Sequence, residues 1–148
     1  MSRVQLALNV ADIDTAVEFY SKLFDAEPAK RRPGYANFAI ADPPLKLVLI
    51  EDPSQEPGSL NHLGVEVETA EDVRAATARL AGKGLATAVE EQTNCCYALQ
   101  DKVWVDGPGG EPWEVYTVLA DADMPAGQLR ASDPGSSGCC APAQTRCC

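Results

Sequence analysis

The 148-residue sequence predicts an α+β protein made of two tandem strand-helix-strand-strand-strand modules, their strands forming a curved mixed sheet, with a flexible tail behind them. Three observations predict it. Two alternating strands, Val4 to Val10 and Asn61 to Val67, place a polar residue, Gln5 or His62, five positions before a closing valine. The register between them is 57 residues and carries Val10 to Val67, Asp14 to Glu71 and Leu23 to Leu80. The last apolar strand, from Pro112, aligns with the strand from Pro44 at an offset of 68, which leaves an eleven-residue insertion in the second half. Halves of roughly 55 to 60 residues are each too small to bury a sufficient core alone, so the repeat is expected to act as one domain over 1–120, with modules at about 3–53 and 60–120.

The elements follow in order. Alternation over Val4 to Val10 has the period of a strand. Asp12-Ile13-Asp14-Thr15 offers N-caps for a helix whose apolar positions Ala16, Phe19, Tyr20, Leu23 and Phe24 recur at helical spacing, ending near Asp25. Residues 28 to 41, from Pro28 through a turn at Gly34 into Tyr35 to Ile40, read as two strands with a basic turn at Lys30-Arg31-Arg32, and Leu45 to Ile50 as another strand. Glu51 to Ser59 is a polar, proline-containing linker. The second module repeats the plan. After the His62 strand, a helix over Ala70 to Ala81 presents Val73, Ala76, Thr77 and Leu80 and stops at Gly82 and Gly84. Leu85 to Glu91 reads as a strand, Thr93-Asn94-Cys95-Cys96 as a loop, Tyr97 to Asp106 as a strand, Gly107 to Gly110 as a turn and Pro112 to Val118 as the last strand. Residues 121–148, rich in Gly, Ser, Pro and Ala, read as a flexible tail.

Composition narrows the function. A formal charge of −10 and no clustered basic residues set aside nucleic acid and anionic membrane surfaces as partners. No apolar run reaches membrane-spanning length and the N-terminus enters a strand pattern at once, which makes the cytoplasm the expected location. The six cysteines form three adjacent pairs, Cys95-Cys96, Cys139-Cys140 and Cys147-Cys148. A disulfide wants its α-carbons about 4.4 to 6.8 Å apart, and neighbours across a trans peptide sit at about 3.8 Å, so a pair closes on itself only with strain. Such pairs suit a soft, thiophilic ligand.

Three polar residues hold matched places: Gln5, His62 and Glu114. Each alone has an ordinary explanation, Gln5 as an exposed strand residue, Glu114 as a solvated carboxylate and His62 as a hydrogen-bonded core residue. If the modules close one curved sheet, an imidazole, a carboxylate and an amide oxygen can meet across its concavity. That set suits a divalent first-row metal with open positions, a variant of the facial triad.

The duplicated unit, the strand His62-Leu63-Gly64-Val65-Glu66-Val67 and the ending Pro112-Trp113-Glu114-Val115-Tyr116 resemble the vicinal oxygen chelate superfamily of glyoxalases, extradiol dioxygenases and bleomycin resistance proteins, over about residues 3 to 120. Within it, Thr93-Asn94-Cys95-Cys96-Tyr97-Ala98 followed by Gln100-Asp101-Lys102-Val103-Trp104-Val105 resembles the C–As lyases that demethylate trivalent organoarsenicals, and cadmium-induced proteins of actinobacteria are similar.

The resemblance implies Fe(II) held by Gln5, His62 and Glu114, dioxygen as co-substrate, and thiolates of Cys95 and Cys96 that hold the arsenic of a methyl or aryl arsenical. For a methyl substrate the implied products are arsenite and formaldehyde. Ring-cleaving dioxygenases have histidine where this chain has Gln5. Glyoxalase-type sites take a further carboxylate where this chain has Lys46, and a protonated lysine donates nothing to a metal. Lys102 is the candidate cation beside the thiols. The resemblance is compatible with a homodimer, since modules can close within one chain or exchange between two. The alternatives are a protein that sequesters cadmium or trivalent arsenicals without turnover, and an isomerase or lyase of the glyoxalase type, which Lys46 disfavours. For Cys139, Cys140, Cys147 and Cys148 two readings stand: a mobile collector of arsenicals, or an appendage without a role in turnover.

Overall fold

The computed structural model describes residues 2–95 and 97–122. Cys96 and the tail cysteines Cys139, Cys140, Cys147 and Cys148 lie outside the described residues. The observed order is β1 (Arg3–Val10), α1 (Ile13–Phe24), β2 (Lys30–Arg32), β3 (Tyr35–Ile40), β4 (Leu45–Glu51), β5 (Leu60–Glu66), α2 (Ala70–Gly82), β6 (Ala88–Cys95), β7 (Ala98–Asp106) and β8 (Pro112–Asp121). Strand, helix and three strands occur twice, and the fold is α+β with mixed strand pairing, as the duplicated pattern predicts. Two compact units divide the chain, one over Arg3–Gly64 and one from Val65 onward together with Ser2.

In the first unit the strand order is β2-β3-β4-β1-β5. β1 and β4 run parallel with Gln5 beside Lys46 and Leu6 beside Leu47, and β3 pairs antiparallel with β4. Alternation sorts β1 into two faces. Leu6, Leu8 and Val10 join the apolar core of Ile13, Val17, Phe38, Ile40, Leu47 and Leu49, while Gln5, Ala7 and Asn9 are buried on the opposite face. The helix α1 starts where the Asp12 carboxylate accepts the Thr15 backbone N–H at 2.7 Å, and ends at Asp25 in the left-handed region with φ 49°.

The face that α1 buries differs from the expected one. Ile13 and Val17 are buried, with Ala16, Tyr20 and Phe24 packed against the core, whereas Phe19 and Leu23 are 58% and 59% exposed. Apolar residues cover so much of this helix that spacing alone allows a rotated stripe, and contact with Phe38 and Leu47 decides between them. A second difference lies in β2, where Lys30, Arg31 and Arg32 pair with Asn37, Ala36 and Tyr35 as a strand. The turn is the one expected at Gly34, with Gly34 at φ 68°.

In the second unit β8, β7 and β6 lie side by side, all antiparallel. A capping box between Thr69 and Asp72 starts α2, which buries Val73 and Ala76. Here the expected loop at Thr93-Asn94-Cys95 is strand: Thr93 pairs with Gln100, Asn94 with Leu99 and Cys95 with Ala98. The alternation that would reveal it is broken by a register shift between Glu90 and Thr93, where Gln92 takes φ 48° and donates its backbone N–H to Asp101 at 2.8 Å. The last strand also extends past Val118 to Asp121, opposite Ala98, and the Ala122 N–H reaches the Tyr97 carbonyl at 2.8 Å.

Candidate functional site

Gln5 and His62, far apart in the chain, are brought together by the first unit. Gln5 Nε2 lies 3.0 Å from His62 Nε2, and the two side chains are 4% and 2% exposed. The strand period explains why: Gln5 is on the face of β1 turned away from α1, and His62 is buried in β5, next to β1. Gln5 is therefore no solvated strand residue. His62 Nδ1 lies 2.6 Å from Asn61 Oδ1. In a neutral ring, that oxygen calls for the proton on Nδ1, which leaves the Nε2 lone pair as the acceptor for the Gln5 amide. Lys46 stands next to Gln5 in the β1–β4 register, where glyoxalase-type sites were expected to supply a carboxylate.

Glu114 belongs to the second unit and is equally dry, at 3% exposure. Its Oε2 accepts a 2.8 Å charge-assisted hydrogen bond from Lys102 Nζ, itself 1% exposed. Lys102 faces Tyr116 across β7 and β8, so the ion pair is a diagonal between the strands. The ammonium also sits 5.3 Å from the centre of the Trp104 ring and 6.0 Å from that of Tyr116, within cation–π range. Lysine in a strand ordinarily marks a solvated face, and this one is buried because its partner is. The structure thus places Lys102 on Glu114, a pairing that residue spacing did not reveal.

Cys95 ends β6 with 1% exposure. It shares a sheet face with its partner Ala98, with Gln100 and with Lys102, since alternate residues of β7 point the same way. The Gln100 amide donates from Nε2 to the Cys95 carbonyl at 3.4 Å, which fixes the orientation of the amide. Its Oε1 is buried without a hydrogen-bond partner among the described residues. A buried acceptor left so costs about 1 to 3 kcal/mol, and a ligand that donates a proton would recover it. Gln100 was absent from the expected site. Tyr97, which follows the cysteines, takes φ 62°, strain of about 1 to 3 kcal/mol for a side chain of that size.

Residues 3–115 match the family model of the Glyoxalase/Bleomycin resistance protein/Dioxygenase superfamily. The chain belongs to this superfamily. Among its relatives is the cadmium-induced protein CadI of Mycobacterium bovis, 63% identical over 143 residues that cover 95% of this chain and 93% of the relative. The trivalent organoarsenical cleaving enzyme of Thermomonospora curvata is 61% identical over 142 residues, covering 96% of this chain and 90% of the enzyme. The superfamily fold is seen also in the Mn(II)-bound glyoxalase from Novosphingobium aromaticivorans, with a TM-score of 0.58 and 19% identity over 82% of this chain and 42% of that one.

Members of the superfamily with a metal need a donor set for it. Among the described residues no three His, Cys, Asp or Glu side chains gather into such a group. A set of glutamine, histidine and glutamate contains only two residues of those types. Its chemistry nevertheless fits a divalent first-row ion: an unprotonated imidazole nitrogen, a carboxylate and a neutral amide oxygen. The amide end now turned to His62 is nitrogen, which is no ligand while neutral, so a metal on Nε2 requires Gln5 to present its oxygen instead.

Proposed function

We propose that this protein is an Fe(II)-dependent dioxygenase that cleaves the carbon–arsenic bond of trivalent organoarsenicals and releases arsenite. The observation that carries the reading is the burial of Gln5, His62 and Glu114, at 4%, 2% and 3% exposure, in matched strands of a duplicated unit. Gln5 and His62 already touch at 3.0 Å, and a carboxylate joining them would complete a donor set of amide oxygen, imidazole nitrogen and carboxylate. Relatives at about this level of identity include a named organoarsenical cleaving enzyme, which supports both a catalytic role and an arsenical substrate. No helix among the described residues is long and apolar enough to cross a membrane.

Gln5, His62 and Glu114 would hold the iron. Iron bound there supplies the activation of dioxygen that an oxidative C–As cleavage requires. The remaining work falls to the protein. Lys102 holds one carboxylate oxygen of Glu114 and so fixes the rotation of that ligand. The Cys95 thiol attacks trivalent arsenic: the S–As bond forms, one As–OH bond breaks, and the hydroxyl leaves with the thiol proton as water. Cys96 displaces the second hydroxyl in the same way and anchors the arsenic at two points. Between those steps Gln100 Oε1 is the acceptor available to the hydroxyl that arsenic still carries. Lys46, beside Gln5, adds no ligand and leaves positions open on the ion.

A second reading is sequestration of cadmium or trivalent arsenicals by thiols without turnover, supported by the relationship to CadI and by the three cysteine pairs. Anaerobic Fe(II) titration tests the first. One equivalent is expected to bind the wild type and none to bind His62→Ala, whereas equal binding by both proteins refutes the ligand assignment.

A further inference from the structure

Four side chains and one backbone carbonyl form a hydrogen-bond chain that ends on His62. Ser59 Oγ donates to the Glu56 carbonyl at 2.6 Å and accepts from Asn9 Nδ2 at 3.0 Å. Asn9 Oδ1 accepts from Asn61 Nδ2 at 2.9 Å, and Asn61 Oδ1 faces His62 Nδ1 at 2.6 Å. The direction of the whole chain is decided at its far end. A backbone carbonyl can only accept, so Ser59 spends its single proton there and must accept from Asn9. The Asn9 amide is thereby turned with its oxygen toward Asn61, Asn61 turns its own oxygen toward the ring, and the ring nitrogen has to be the donor. The anchor is firm, because Asn9 also exchanges backbone hydrogen bonds with the linker, from its N–H to the Ser59 carbonyl at 2.9 Å and from the Gly58 N–H to its carbonyl at 2.7 Å.

We propose that Asn61, Asn9 and Ser59 are positioning residues that lock neutral His62 in the Nδ1–H tautomer and keep its Nε2 lone pair ready for a metal. The other side of the ring agrees. Two nitrogens 3.0 Å apart can hydrogen-bond only if one lacks a proton, and the Gln5 amide nitrogen always carries protons. The device gives the polar linker a purpose: its last residue, Ser59, sets the polarity of a relay that reaches the imidazole. The metal half of the inference rests on the ligand assignment proposed above; the tautomer half does not.

Because His62 is the only histidine, its ring gives a single set of signals in a long-range ¹H–¹⁵N correlation spectrum of the metal-free protein. Recorded where the ring is neutral, the wild type is expected to show protonated Nδ1 and bare Nε2. Asn61→Leu combined with Gln5→Leu removes the acceptor at Nδ1 and the donor at Nε2, and relative to Gln5→Leu alone is expected to move the population toward Nε2–H. Ser59→Ala, at a half-buried position, is expected to let both amides turn over and to populate both forms. Chelator competition with Co(II) should show a fall in affinity of about 10- to 100-fold for Asn61→Leu. A wild-type ring protonated on Nε2, or a tautomer no different between Gln5→Leu and the Gln5→Leu, Asn61→Leu double variant, overturns the inference. A tautomer that shifts without any change in Co(II) affinity overturns the positioning role. A wild type with the expected tautomer and no affinity for Co(II) or Fe(II) leaves the lock standing and overturns the ligand assignment instead.

Discussion

Lys102 Nζ and Glu114 Oε2 meet at 2.8 Å in the interior, with 1% and 3% of their side chains exposed. Removing one partner of a buried pair strands the other charge. Lys102→Met is therefore expected to lose about 3 to 5 kcal/mol of stability, and Lys102→Met with Glu114→Leu to recover most of it. The exposed pair Lys22–Glu18, at 2.7 Å, sets the contrast: Lys22→Ala should leave stability nearly unchanged. Urea denaturation of the variants checks this, and a Lys102→Met midpoint equal to that of Lys22→Ala contradicts it.

The thiols make a separate prediction. Cys95→Ser with Cys96→Ser should abolish organoarsenical binding and leave Fe(II) binding intact, because sulfur suits arsenic and the proposed iron donors are nitrogen and oxygen. Parallel titrations with methylarsenite and anaerobic Fe(II) separate the two ligands. Collapse of iron affinity in this variant would reverse the assigned roles.

Gln100→Leu removes the buried acceptor near Cys95. Stopped-flow capture of methylarsenite, which carries hydroxyls, is expected to slow by about fivefold, corresponding to roughly 1 kcal/mol of lost hydrogen bonding. Capture of its bis-glutathione adduct, which carries none, should be unchanged. Equal slowing of both would mean that the substitution acts only through packing.

Much of the fold was legible because strand alternation, helix caps and the 57-residue register are local patterns repeated twice. What escaped was set by contacts between elements. Phe19 and Leu23 have helical spacing as good as that of Ile13 and Val17, and only the partner sheet chooses the buried side. Thr93 to Cys95 read as a loop because Gln92 breaks the alternation with a positive φ. At the site, Gln5, His62 and Glu114 stood out by matched position. Asn9, Ser59, Asn61 and Gln100 did not, since amides and hydroxyls in strands and linkers look the same in sequence whether they face water or a buried relay. Lys102 was expected beside the thiols, and its place on Glu114 depends on a diagonal across β7 and β8 that spacing alone does not give.

The tail is expected to collect arsenicals through Cys139-Cys140 and Cys147-Cys148 and pass them to Cys95 and Cys96 by thiolate exchange. Truncation should follow Ala122, because β8 pairs as far as Asp121 and the Ala122 N–H is bonded. The truncated protein should show a raised KM with kcat preserved. An unchanged KM and unchanged arsenical stoichiometry would assign the tail no part in turnover.

The most direct test of the account joins oxygen uptake to arsenic speciation. The wild type, reconstituted with Fe(II) under anaerobic conditions and then exposed to air with methylarsenite, should consume dioxygen and release arsenite and formaldehyde in step. His62→Ala, folded as judged by circular dichroism, should do neither. Methylarsenite recovered intact and bound to protein thiols, with no oxygen consumed by the iron-loaded wild type, would contradict the dioxygenase and leave sequestration as the function.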